Sequence, residues 1–314
     1  PDLIDYDTSF KPAEQDALYE PNAFRSSDHD PVLVGLGLDG TAPETTATVS
    51  GVVKPGCAAD CFFGSATVSL NANEPATIVY RVNGGAWVTY SAPFAVTAIG
   101  NNLVEFYATD TIGNVEATRS VIVKVTNFPI AGLLDTFNRA NGRIGNNWLG
   151  DTKIDQYAIT NGRIDVGLGG QLLWRGDTFG ADQEAYLTLS KIDNQSAHHT
   201  LVLKSRGTNS SQGAILVSYD AVQQAIVVEA LVVGTGWRTV ATFPVVLSDG
   251  AVLGARANAD GTLQVYVDCV LIGSADSRTV AGNAYVGQGG RIGVWFWNAA
   301  NAEFDDFSGG NHTP

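Results

Sequence analysis

The chain is 314 residues long and carries 32 acidic against 18 basic side chains, a formal net charge of −14. That length has room for two or more domains, and the acidity argues against this chain tracking a nucleic-acid backbone, because nonspecific phosphate binding rests on Lys and Arg. With 35 glycines, charged residues at only 16% and little helical periodicity among its Val-, Thr- and Ala-rich alternating runs, the sequence predicts an all-β fold suited to an extracellular setting.

The chain opens on Pro1 with neither an initiating Met nor a signal-peptide pattern, which reads as a cut end, and no apolar run approaches the roughly 18 residues of a membrane span. The first distinctive string is Phe24-Arg25-Ser26-Ser27-Asp28-His29-Asp30-Pro31, followed by the apolar Val32-Leu33-Val34-Gly35-Leu36 and preceded by Asp2-Leu3-Ile4-Asp5-Tyr6. By residue type alone, Asp28-His29-Asp30-Pro31 is a polar turn before a strand. The string also closely resembles the closing strand and loop of the endonuclease/exonuclease/phosphatase family, in particular its secreted bacterial nucleases. The resemblance implies that residues 1–38 are the C-terminal remnant of a truncated α/β nuclease domain, an extended tail in this chain. It assigns His29 as the base that takes the proton of the attacking water, and Asp28 as the carboxylate that orients the imidazole. Hydrolysis in that family further implies Mg²⁺ or Mn²⁺ held by upstream residues absent from this sequence, so nuclease activity and nucleic-acid contact are expected only of an intact parent polypeptide. Outside such a sheet, the strand bearing Val32, Leu33, Val34 and Leu36 has orphaned backbone donors and an apolar face. It would be stabilised as a strand donor to a neighbouring copy, and head-to-tail donation builds a filament.

A polar Gly/Pro/Thr stretch at 39–45 reads as a linker. Short alternating strands follow at 48–53, 66–70, 77–82, 94–96, 103–109 and 120–125, broken by turns such as Asn83-Gly84-Gly85, and predict a β-sandwich over residues 46–128. The strings Tyr80-Arg81-Val82-Asn83-Gly84-Gly85-Ala86-Trp87, Pro93-Phe94 and Ala108-Thr109-Asp110-Thr111-Ile112-Gly113-Asn114 resemble bacterial immunoglobulin-like repeats, which mostly act as spacers. Asp110 reads as a turn residue, with a calcium role as the alternative. Cys57 and Cys61 enclose three residues and are expected to form a small disulfide, a pairing suited to an oxidising compartment, while Cys269 is expected as a buried free thiol.

The third region, 129–314, opens with Asp135-Thr136-Phe137-Asn138-Arg139-Ala140-Asn141-Gly142 and closes with Ala302-Glu303-Phe304-Asp305-Asp306-Phe307-Ser308-Gly309. Both ends resemble concanavalin-like, laminin-G-like jelly-roll domains. Strands are predicted at 185–189, 200–204, 214–219, 225–231, 262–267 and 291–297. In Val294-Trp295-Phe296-Trp297 the faces alternate: if Val294 and Phe296 point into the core, Trp295 and Trp297 form a platform for sugar rings, and in the opposite register the platform vanishes. Trp148 and Trp174 carry the same ambiguity. Asp135, Asp305 and Asp306 could meet where first and last strands pair, as a Ca²⁺ site or as a solvated acidic edge. His198 and His199 fall on opposite faces of one strand. Glu184, Glu229 and Glu303 are scattered, without the paired carboxylates of a glycoside hydrolase. Asn194, Asn209 and Asn311 head Asn-x-Ser/Thr strings that chance accounts for.

Two functions are therefore expected. One is a non-catalytic accessory region of a secreted metal-dependent nuclease that binds a cell-surface or matrix glycan. The other is a structural subunit of an extracellular filament, in which the partner is another copy of the chain.

Overall fold

Alternation of apolar and polar residues builds strands almost throughout the described residues, and the one α-helical stretch among them is Arg278–Ala281. The structure, a computed structural model, describes residues 40–54 and 57–313. Asp28, His29, Val32, Leu33, Val34 and Leu36 lie outside the described residues. Ala42–Pro314 forms one compact unit, and its fold is all-β, made of two sandwiches.

The smaller sandwich sets a three-stranded sheet, in the order Thr45–Gly51, Ala66–Ala72 and Phe94–Val96, against a five-stranded one. The latter runs Cys61–Phe63, Arg119–Thr126, Gly100–Asp110, Ala76–Val82, Val88–Thr89. Along Gly100–Asp110 the period of two is complete: Asn102, Val104, Phe106, Ala108 and Asp110 are buried, and the residues between them are not. Val68, Leu70, Ile78, Val104, Phe106 and Val123 meet in the core, each fully buried large side chain contributing about 1.5–3 kcal/mol. Asp110 closes the turn after its strand: its Oδ1 accepts from the backbone N–H of Ile112, Gly113 and Asn114, and its Oδ2 from the Asn114 amide. With every carboxylate oxygen engaged in this way, Asp110 is a turn residue.

The larger sandwich pairs a nine-stranded with a seven-stranded sheet. The seven-stranded sheet is ordered Trp148–Gly150, Gly169–Trp174, Arg291–Trp297, His198–Ser205, Ile215–Asp220, Ala225–Val232, Gly236–Pro244. In the nine-stranded sheet the last strand, Glu303–Asn311, lies between Arg163–Val166 and Gln183–Lys191 and also pairs with Leu133–Asp135, so both ends of this region meet. Trp148, Phe296, Phe304 and Phe307 are wholly buried between the sheets, with Phe296 and Phe304 stacked at 4.8 Å. Trp148 and Trp174 are thus core residues.

The smaller sandwich and the segment that leaves it cover part of the outer face of the nine-stranded sheet. Phe128 stacks on Tyr266 at 4.1 Å and packs with Tyr186, Val252, Cys61 and Cys269. Gly254 makes this approach feasible, since a Cβ there would meet the Phe128 ring at 2.5 Å. Beneath lies a buried ion pair. Arg256 Nε donates to Glu184 Oε2 at 2.8 Å, its other nitrogens donate to the side chain and carbonyl of Asn127, and Glu184 Oε1 accepts from the N–H of Ile130 and Ala131. Every charge is matched, as a buried pair requires.

The disulfide also lies here and corrects the expected pairing: Cys57 is bonded to Cys269, 212 residues away, and Cys61 is a buried free thiol. The reason is local geometry. A turn in which Cys61 N–H donates to Ala58 O leads Cys61 into a strand paired in parallel with Arg119–Thr126, while Ala58 N–H reaches Asp268 O and brings Cys57 to the Asp268-Cys269 hairpin turn. Burial, followed by the neighbouring Asp60 charge, pushes the Cys61 thiol pKa up, so the free cysteine is held as an inert thiol.

Candidate functional site: a tryptophan groove on the seven-stranded sheet

The opposite outer face, that of the seven-stranded sheet, is built from the strand Arg291–Trp297. Ile292, Val294 and Phe296 are wholly buried toward the core, which sends Trp295 and Trp297 outward. Trp295 lies between Gln171 and Thr200 on its neighbours, and Trp297 between Gly169 and His198. A third tryptophan arrives from the edge: Trp237, opposite Leu231 on the hairpin after Val232, brings its ring to 6.1 Å from Trp295 at 66°. Trp295 and Trp237 rest on Leu173, Val202, Ala214 and Leu216, a small apolar cluster on this outer side. The rings are therefore held by packing, whereas Trp297 keeps 52% of its surface exposed.

These rings wall a groove in two parts. The first, about 310 Å³, is completed by His198, Thr200, Leu216 and Glu229. The second, about 610 Å³, shares Trp237 and Trp295 and is more polar, with Gln171, Asn209, Ser210, Ser211 and Thr235 among its lining. The polar end is internally organised: Gln171 Nε2 donates to Ser210 Oγ, Ser210 N–H donates to Gln171 Oε1, and Ser211 N–H donates to Asn209 Oδ1. Thr200 and Ser218 share a hydrogen bond of 2.8 Å under the rings. Glu229 is half-buried; burial raises its carboxyl pKa, and the nearby His198 opposes that shift.

Of the two expected faces of the histidine pair, His198 lines the groove and His199 is buried. His199 Nε2 accepts from Asp193 N–H while Nδ1 meets Tyr219 O, and burial lowers its pKa, which keeps it neutral. The three scattered glutamates stay apart: Glu184 is in the buried ion pair, Glu303 pairs with Arg163, and Glu229 alone faces the groove. Trp237 and Glu229 were not legible as site residues, since neither belongs to a motif.

The aspartates expected to share Ca²⁺ differ in how far their carboxylates are engaged. Asp135 is buried and saturated: Oδ1 accepts from Phe137 N–H and Arg139 NH1, and Oδ2 from Trp148 Nε1 and Arg139 NH2. Asp305 Oδ1 accepts from Asp306 N–H, and burial raises the pKa of both, a shift that this hydrogen bond opposes at Asp305. The strands do meet, with the Asp135 carboxylate committed to its own donors, and among the described residues no group of three or more His, Cys, Asp or Glu is placed to hold a metal. No helix among the described residues is long and apolar enough to cross a membrane.

Neither a protein-family model nor a curated protein matches the chain. Solved structures to which it is similar include a carbohydrate binding module, CBM66, from Bacillus subtilis, at 17% identity and TM-score 0.36 over 55% of this chain and 95% of that one. The Emp47p carbohydrate recognition domain is 16% identical, with TM-score 0.38 over 58% and 95%. β-Agarase B from Zobellia galactanivorans is 11% identical, with TM-score 0.40 over 56% and 90%. Likenesses of this strength carry no argument about a ligand.

Proposed function

We propose that the outer face of the seven-stranded sheet binds a carbohydrate chain, with Trp295, Trp297 and Trp237 stacking on sugar rings. The observation that carries this reading is the set of three tryptophans converging on one groove over an apolar floor. Side chains of this size normally bury most of their surface in a core. Here Trp295 and Trp237 are fixed by packing and all three stay partly open to solvent, and a sugar offers the complementary shape: an apolar C–H face for the ring and hydroxyls at its rim for Asn209, Ser211, Thr235 and Glu229.

The groove's two parts share two tryptophans, which suits several units of a chain better than a single sugar. With one carboxylate in its lining the arrangement favours holding a glycan over cleaving it, since glycosidases use two. The Cys57–Cys269 disulfide supports an extracellular location. In this reading the smaller sandwich is a spacer, and the resemblance of residues 1–38 supports a secreted modular nuclease as the parent. Electrophoresis of the folded chain through native gels containing neutral, amino-sugar or uronate polysaccharides tests the reading. Retardation by at least one polymer is expected; unaltered mobility in every gel would reject a carbohydrate role for the groove.

A further inference from the structure

Charge inside the groove narrows the ligand. Neither Lys nor Arg lines either part, and the one ionisable acid is Glu229. It projects from the middle of Ala225–Val232, between Leu216 on one neighbouring strand and Thr239 on the other. Among the described residues no donor bonds its carboxylate, and the charge interaction it does make is with His198. A half-buried carboxylate without a donor loses hydration that no hydrogen bond replaces. The same wall presents three indole faces, whose negative π surfaces attract cations.

We infer that the part of the groove beside Glu229 takes a cationic sugar unit, the ammonium-bearing ring of an unacetylated 2-amino-2-deoxyhexose within a polysaccharide, an inference that rests on the carbohydrate reading above. The ammonium replaces the hydration Glu229 has lost with a charge-assisted hydrogen bond, and the ring lies against Trp295 or Trp297. Adjoining units reach the polar part, where the amide and hydroxyl groups of Asn209, Ser211 and Thr235 meet sugar hydroxyls. An N-acetylated unit brings no charge to Glu229, and a uronate brings a repelled one. The net charge of −14 draws a polycation toward the molecule from a distance.

The test is calorimetric titration of the full chain with four hexasaccharides: β-1,4-linked glucosamine, its fully N-acetylated form, a β-1,4-glucan and a uronate oligomer. The pH is set below the pKa of the sugar amine and well above the ordinary carboxylate range, because burial raises the pKa of Glu229. The glucosamine hexamer is expected to bind about tenfold more tightly than its acetylated form, with the uronate weakest. In Glu229→Gln, which preserves shape, that preference falls to near unity, and in Trp295→Ala binding of all oligomers weakens. Equal affinity for the glucosamine, acetylated and glucan hexamers, unchanged in Glu229→Gln, would overturn the inference and leave the carbohydrate site standing. A preference that survives in both variants would trace to general acidity and also overturn it. No binding of any oligomer would reject the underlying reading together with the inference.

Discussion

The two outer faces of the larger sandwich carry comparable apolar side chains and meet opposite fates. On the nine-stranded sheet, Tyr186, Val252 and Tyr266 are covered by Phe128 and the Cys57–Cys61 turn, the cover being fastened by the Cys57–Cys269 disulfide and the Glu184–Arg256 pair. On the seven-stranded sheet, Trp295 and Trp237 stand over their own small cluster with Trp297 exposed beside them, and no comparable cover lies over them among the described residues. The difference separates structural from functional exposure. An outward aromatic with a partner in the same chain is part of the fold, and one held rigid without such a partner is available to a ligand.

The comparison breaks most sharply at Arg256. Arg256→Met leaves Glu184 charged and buried with only the N–H groups of Ile130 and Ala131, which is expected to lower stability by about 3–5 kcal/mol. Urea unfolding reads the loss; a change below about 1 kcal/mol would mean the pair contributes little beyond its hydrophobic surroundings. Next comes the disulfide. Cys57→Ser with Cys269→Ser removes a link spanning 212 residues and is expected to cost about 2–4 kcal/mol, while Cys61→Ser leaves the link intact. Peptide mapping without prior reduction should recover Cys57 joined to Cys269, and recovery of Cys57 joined to Cys61 would restore the local pairing. In both cases saccharide binding by the folded fraction should be unaffected, because the groove lies on the other sheet.

Lys204 gives a smaller, pH-dependent effect. Its Nζ donates to Asn258 O and Tyr285 O, tying the His198–Ser205 strand to the loop after Ala251–Ala257. Burial lowers its pKa from 10.5 to about 8. Between those values the unfolded chain holds the proton that the folded chain has released, so stability rises with pH across the window. The slope is at most about 1.4 kcal/mol per pH unit. Comparison with Lys204→Met isolates it: the native chain should gain on the variant from pH 8 to 10.5, and a constant difference would place the ammonium in solvent.

How much of this was legible in the sequence depends on what each pattern encodes. Period-two alternation located the Arg291–Trp297 strand and the pairing of its faces, but both faces are apolar, so the pattern could not say which was inward. The core decided it, through Phe296 stacking on Phe304 from the other sheet. The short strand Cys61–Phe63 was missed because three residues carry no period, and with it the direction of Cys61. Cys269 was read as a buried free thiol, whereas Asp268 and Cys269 both have positive φ and form the two-residue turn of a hairpin. Cysteine spacing favoured the nearest partner, while the chain's turn sent the two sulfurs apart. Asp135 was read as a possible metal ligand: the strand pairing behind that reading was foreseen, but the Arg139 and Trp148 donors that saturate its carboxylate were not. Trp237 left a faint signal, an aromatic just past Gly234-Thr235-Gly236 at a hairpin tip, where a core residue is not expected.

The most direct test of the groove is a fluorescence titration of the native chain and Trp295→Ala, side by side, with a soluble polysaccharide that retards the native chain in gels. The native chain should show a saturable change in indole emission, and Trp295→Ala, still folded by circular dichroism, should bind roughly 30-fold more weakly, the loss of about 2 kcal/mol typical of a stacked aromatic anchor. Equal affinity in the two proteins would contradict the assignment of the tryptophan groove as the binding site.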